Sequence, residues 1–71
     1  MLNQEEIDDL MRRLSTYRRT RSHYLEQLAL QGRAFVLPHI IPGIREAQQE
    51  IDRIKKALRE EGIQVANHPD D

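Results

Sequence analysis

Six apolar residues in the second half of the chain, Ile40, Ile44, Ala47, Ile51, Ile54 and Leu58, recur in steps of four, three, four, three and four. At 3.6 residues per turn this spacing gathers all six on one narrow stripe of an α-helix, the a/d seam of a coiled coil. A strand alternates with period two and could not place them on one face. Pro38 suits a first helical position. Pro42 has no N–H to donate, so it predicts a kink or a later start for this helix. The far end is marked by Glu61-Gly62-Ile63. With Gly62 at C′, Leu58 and Ile63 become the contact pair of a Schellman motif.

The first half carries a second helical pattern. Asn3 followed by Glu6 reads as a capping box, with Leu2 and Ile7 placed for a hydrophobic staple. Glu5, Glu6, Asp8 and Asp9 put negative charge where the helix dipole favours it. Asp8 to Arg12 and Asp9 to Arg13 are i,i+4 pairs in the favourable order. The apolar stripe runs Ile7, Leu10, Met11, Leu14, Tyr17, Tyr24, Leu25 and Leu28, and Gly32 supplies the stop. The spacing predicts a helix from about Gln4 to Gln31, roughly 40 Å long at 1.5 Å per residue.

Between the two lies a short apolar connector, Gly32-Arg33-Ala34-Phe35-Val36-Leu37-Pro38. Two long amphipathic helices so joined predict an all-α fold, an antiparallel two-helix hairpin over residues 1–65 that assembles into a helical bundle. Residues 66–71 read as a polar tail or linker. Hairpin packing is expected from Leu14, Tyr17, Leu28, Ile44, Ile51, Ile54 and Leu58. The stripes are wider than a two-helix seam, since Leu10 sits beside Met11, Tyr24 beside Leu25 and Ile40 beside Ile41, so a third surface is needed. A chain of 71 residues has a marginal core, and with no cysteine it has no disulfide to reinforce it. Self-association follows as the expectation. Its surface is read as Met11, Tyr24, Phe35, Val36, Leu37 and Ile41, with Arg18, Arg19 and Arg21 as polar contacts. A monomeric hairpin with its loop tucked under is the plainer alternative.

Composition narrows the function classes. The absence of cysteine removes thiolate zinc sites and fits a reducing, cytoplasmic setting. A formal charge of -1 asks for neither nucleic acid nor an anionic membrane. No apolar run approaches the roughly 18 residues of a membrane span, and the first residues lack the pattern of a signal peptide. Arginines cluster around Tyr17-Arg18-Arg19-Thr20-Arg21-Ser22-His23-Tyr24, with Arg12 and Arg13 just before. Such a set can contact phosphates and stack on bases. On a helix, however, these side chains point several ways, and Glu46, Glu50, Glu60 and Glu61 offer acidic partners on a neighbouring copy. Arg21 occupies a seam position between Leu14 and Leu28. It either fixes register or extends its charged head to the edge of the seam. His23, His39 and His68 are isolated and carry no metal-ligand spacing. The hydroxyls Ser15, Thr16, Thr20 and Ser22 lack a base and an orienting group, so no catalytic residue, cofactor or metal is expected.

One resemblance spans nearly the whole chain. Tyr17-Arg18-Arg19-Thr20, Tyr24-Leu25, Gln27-Leu28, Gly32, Pro38, Gly43-Ile44-Arg45-Glu46-Ala47, Glu50-Ile51, Arg53-Ile54-Lys55, Leu58-Arg59, Gly62 and His68-Pro69-Asp70-Asp71 together resemble the short N-terminal effector-associated, death-like helical adaptor modules of bacterial conflict (immune) multidomain proteins. Pro42 departs from that pattern and bears on where the second helix begins. In that family the module precedes caspase-like peptidases, TIR domains, P-loop NTPases, WD repeats or domains like the formylglycine-generating enzyme. The resemblance implies non-enzymatic adaptor work, in which like associates with like and attached or partner effectors are brought together. The rival expectations are a nucleic-acid-binding module using the arginine cluster, and a small regulatory subunit of one enzyme.

Overall fold

The computed structural model describes residues 1–31, 38–68 and 71. It contains α1 (Gln4–Gln31) and α2 (Ile40–Glu60), and no strand among the described residues. Both helices begin and end for local reasons. At the head of α1, Asn3 Oδ1 accepts the Glu6 N–H at 2.8 Å and Glu6 Oε1 accepts the Asn3 N–H at 3.4 Å, the two halves of the capping box. Of the two charge pairs expected behind it, Asp9–Arg13 forms at 3.0 Å, while Asp8 accepts from the Gln4 side-chain amide at 2.9 Å.

The second helix starts at Ile40, two residues later than Pro38 would allow. Pro42 is therefore its third residue. The first intrahelical bond is donated by Gly43 to the His39 carbonyl at 3.0 Å. A helix leaves its first N–H groups without intrahelical partners, so the donor that Pro42 lacks falls where none is needed. At the other end Gly62 adopts φ 77°. The Ile63 N–H reaches the Leu58 carbonyl and the Gly62 N–H reaches the Arg59 carbonyl, both at 3.0 Å. Those are the two bonds of a Schellman motif.

The helices run antiparallel. The Leu2 N–H, ahead of α1, donates to Glu61 Oε1, just beyond α2, at 3.0 Å. Burial follows the predicted seam. Ile40, Ala47, Ile51, Ile54 and Leu58 of α2 are buried, and Leu14 of α1 is buried against Ile51, Ile54 and Leu58. Tyr17, Leu28 and Ile44, also expected in the packing, are half-buried. Full burial of a side chain such as Leu14 or Ile51 contributes about 1.5–3 kcal/mol. The central cluster is Leu14, Ile51, Ile54 and Leu58, flanked by Ile7, Leu10 and Tyr17 from α1 and by Ile63 and Val65 from beyond α2. The chain after Gly62 therefore turns back over the hairpin and contributes to its core.

The left-handed backbone at Gly62 makes that return possible, and a Cβ there would cost about 1 kcal/mol. Gly62→Ala should lower the melting temperature by roughly 4–8 °C, read by circular dichroism. Open space surrounds the position, so steric contact with neighbours will not contribute.

Candidate interaction surface

Residues three and four beyond a buried helical position flank it on opposite sides. Tyr17 and Arg18 stand in this relation to Leu14, and the two long edges of the hairpin are built from them.

On the Arg18 edge the returning chain is held by charge. Arg18 grips the Asp71 carboxylate with both arms of its fork, Nε to Oδ1 at 2.8 Å and Nη2 to Oδ2 at 2.9 Å. Its Nη2 also donates to the Ala66 carbonyl at 2.8 Å. From α2, Lys55 Nζ donates to Asp71 Oδ2 at 3.1 Å and to Asn67 Oδ1 at 2.8 Å. The His68 N–H adds a bond to Asp71 Oδ2 at 3.2 Å. The Asp71 side chain is only 8 % exposed, so these bonds act largely out of water. The Arg18 hydrogen bonds, with those of Lys55 and the His68 amide, hold the Asp71 carboxyl far below the usual carboxylate range against the opposing pull of burial.

On the Tyr17 edge, the Tyr24 ring packs closely against Gly43. A Cβ at Gly43 would stand 2.7 Å from Tyr24 Cε2. No Cβ fits at that distance, so glycine lets the ring close onto α2. His39 meets the same ring edge-on with centroids 6.2 Å apart, and His23 lies tilted to it at 6.3 Å.

The residues expected at an association surface divide accordingly. Met11 and Ile41 are exposed, at 44 % and 43 %. Arg19 is exposed and Arg21 is half-buried. Tyr24 is half-buried against α2, and Arg18 is engaged by Asp71 within the chain; both serve the hairpin's own closure. Phe35, Val36 and Leu37 lie outside the described residues. Leu30, which the stripe passed over, is exposed at 84 % in the last turn of α1. Met11 and Leu30 are nineteen positions apart, or about 28 Å along the helix. The exposed apolar side chains therefore lie toward the two ends of the rod. The stretch read from sequence as a polar tail or linker is anchored through Ala66, Asn67 and Asp71.

The sequence reading gave no role to Lys55, Asp71 or Gly43. Lys55 lies beside the seam residue Ile54, where periodicity expects a solvated charge. Asp71 is 53 positions from Arg18, and no local spacing links them. Gly43 entered only as part of the family-like pattern, with no contact attached to it. The chemistry otherwise available is slight. Among the described residues no group of three or more His, Asp or Glu side chains is placed to hold a metal ion. No described helix is long and apolar enough to cross a membrane. His23 Nε2 and the Gln27 side-chain amide lie 3.1 Å apart, and Thr16 Oγ1 donates to the Arg12 carbonyl at 3.1 Å.

Two measurements check this geometry. Asp71→Asn should cost about 1.5–3 kcal/mol at pH 7, read by urea denaturation. The folded-state pKa is depressed, so the carboxylate's contribution is present above its unfolded value of about 3.9 and is lost as pH falls below it. Wild type and variant should therefore converge in acid. Gly43→Ala should destabilise by about 1–3 kcal/mol through overpacking. Combined with Tyr24→Leu, it should cost less than the sum of the two single changes, because the clash is with the ring.

Compared with known protein families, curated proteins and solved structures, this chain matches none of them.

Proposed function

We propose that this chain is a non-enzymatic homotypic interaction module. Copies associate with one another and thereby cluster attached or partner effector domains in a bacterial conflict or signalling system, in the cytoplasm. The chemistry belongs to those other domains; the module raises their effective concentration.

The observation that carries this reading is the molecule's excess surface. The chain exposes 5502 Å², whereas a compact folded monomer of 8.4 kDa exposes about 4600 Å². The difference, roughly 900 Å², is close to what one partner contributes to a standard protein–protein interface. The shape agrees. The principal extents are 46 × 19 × 15 Å and the radius of gyration is 14.1 Å, against about 11 Å for a compact chain of this length. A rod with Met11 toward one end and Leu30 and Ile41 toward the other has apolar anchors available for side-by-side or end-on contact. The engagement of Arg18 by Asp71 weakens the nucleic-acid alternative, because it removes a central cation from the arginine cluster.

Sedimentation velocity from low to high micromolar concentration tests the reading. The weight-average mass should rise above 8.4 kDa with concentration. Met11→Glu and Ile41→Glu should each shift that rise to at least tenfold higher concentration. A strict monomer throughout the range would end the proposal.

A further inference from the structure

The outer flank of α1 carries a second stripe that the hairpin does not use. Asp8, Met11, Ser15, Arg19 and Ser22 recur in steps of three, four, four and three, so they share one face of the helix. Ser15 stands about 100° around the axis from the buried Leu14, which turns this face away from the seam and past the Arg18 edge. Asp8, Met11, Ser15 and Arg19 are exposed. The Asp8 carboxylate accepts from the neutral Gln4 amide, and neither Asp8 nor Arg19 joins an ion pair among the described residues. An apolar side chain, Met11, and a small one, Ser15, thus lie between an anion and a cation. Charge is sorted along the whole helix in the same sense. Glu5, Glu6, Asp8 and Asp9 fall in its first turns, and Arg12, Arg13, Arg18 and Arg19 in the turns that follow. Beside these arginines an open groove of about 550 Å³ separates α1 from the returning chain, with Arg18, Arg19, Ser22, His23 and His68 in its lining.

We propose that two copies pair through this face, their α1 helices antiparallel about a two-fold axis near Met11 and Ser15, with Asp8 of each copy facing Arg19 of the other. This rests on the homotypic reading above and names the contact through which like meets like. Setting Asp8 opposite Arg19 places Met11 opposite Ser15 and Thr16, Arg12 opposite Ser15, and Glu5 opposite Ser22. Asp8, Glu5 and Arg12 then each meet an opposite charge or a hydroxyl. Ser15, beside the axis, leaves room for the Met11 side chain of the other copy. The acidic first turns of one copy lie along the arginine-lined groove of the other. A parallel pair would set Asp8 against Asp8 and Arg19 against Arg19, so charge selects the antiparallel orientation. The two-fold makes each contact occur twice and closes the pair. The overlap covers roughly twenty residues of each α1, or about 30 Å. A side-by-side contact of that length is in keeping with the roughly 900 Å² of surface that each copy holds in excess. Leu30 and Ile41 remain exposed beyond the overlap, where further copies can be met.

Full-length chains test the pairing by charge and by distance. Asp8→Arg or Arg19→Asp alone sets like charges opposite one another twice. Each should raise the concentration at which the sedimenting mass increases by about tenfold or more. An equimolar mixture of the two variants, and a single chain carrying both changes, should each regain wild-type association. Single reversals without effect, or a loss that neither combination repairs, overturn the pairing. The chain has no cysteine, so one introduced thiol reports distance without interference. With Ser15→Cys the two thiols start about 4.5 Å apart along the helix direction, and mild oxidation should join them. With Ala29→Cys, also exposed, they are about 46 Å apart and should stay separate. Joining at Ala29→Cys, or at neither position while the wild type associates, overturns the α1 pairing and leaves the homotypic reading standing. A wild-type chain that remains monomeric at high micromolar concentration removes both.

Discussion

Two helices in contact make a core one side chain thick, and every other feature of this molecule follows from that limit. Leu14, Ile51, Ile54 and Leu58 are excluded from water, yet Ile7, Leu10 and Tyr17 beside them on α1 are only half-buried. A pair of helices cannot surround its own seam. A small domain meets this either with a further layer or with a partner. Here the chain supplies a partial third layer, with Ile63 and Val65 packed on the core and Asp71 clamped between Arg18 and Lys55.

The two long edges are closed by different physics. On the tyrosine edge closure is steric: glycine at position 43 removes a side chain so that the Tyr24 ring can rest on the α2 backbone. Dispersion and apolar burial favour this contact, and it is insensitive to salt. On the arginine edge closure is electrostatic: a bidentate guanidinium and an ammonium share one sheltered carboxylate. Such a contact is directional and demands a specific chemical partner.

Most of the fold was legible in the sequence because its determinants are local. The capping box at Asn3 and Glu6, the stop at Gly62 and the seam from Ile40 to Leu58 each involve residues within a turn or two of one another, and all appear as read. Pro42 was legible in part. Its missing donor signalled a later start for α2, and the helix begins so that the gap falls in its first turn. The association surface was less legible. Of the residues read as an association surface, Met11 and Ile41 are exposed, whereas Arg18 is engaged by Asp71 and Tyr24 packs against Gly43 within the chain. Helical periodicity reports which way a side chain points from its own axis. It does not report what stands opposite.

The sequence by itself therefore determined the helices, their ends and the buried stripe, since hydrogen bonding between near neighbours and a 3.6-residue repeat fix these without reference to the rest of the chain. Only the tertiary structure decided that Arg18 and Lys55, on separate helices, converge on Asp71, and that Tyr24 requires a glycine at position 43. Those pairings depend on the distance and rotation between two packed rods, which are set by the fit of side chains across the seam.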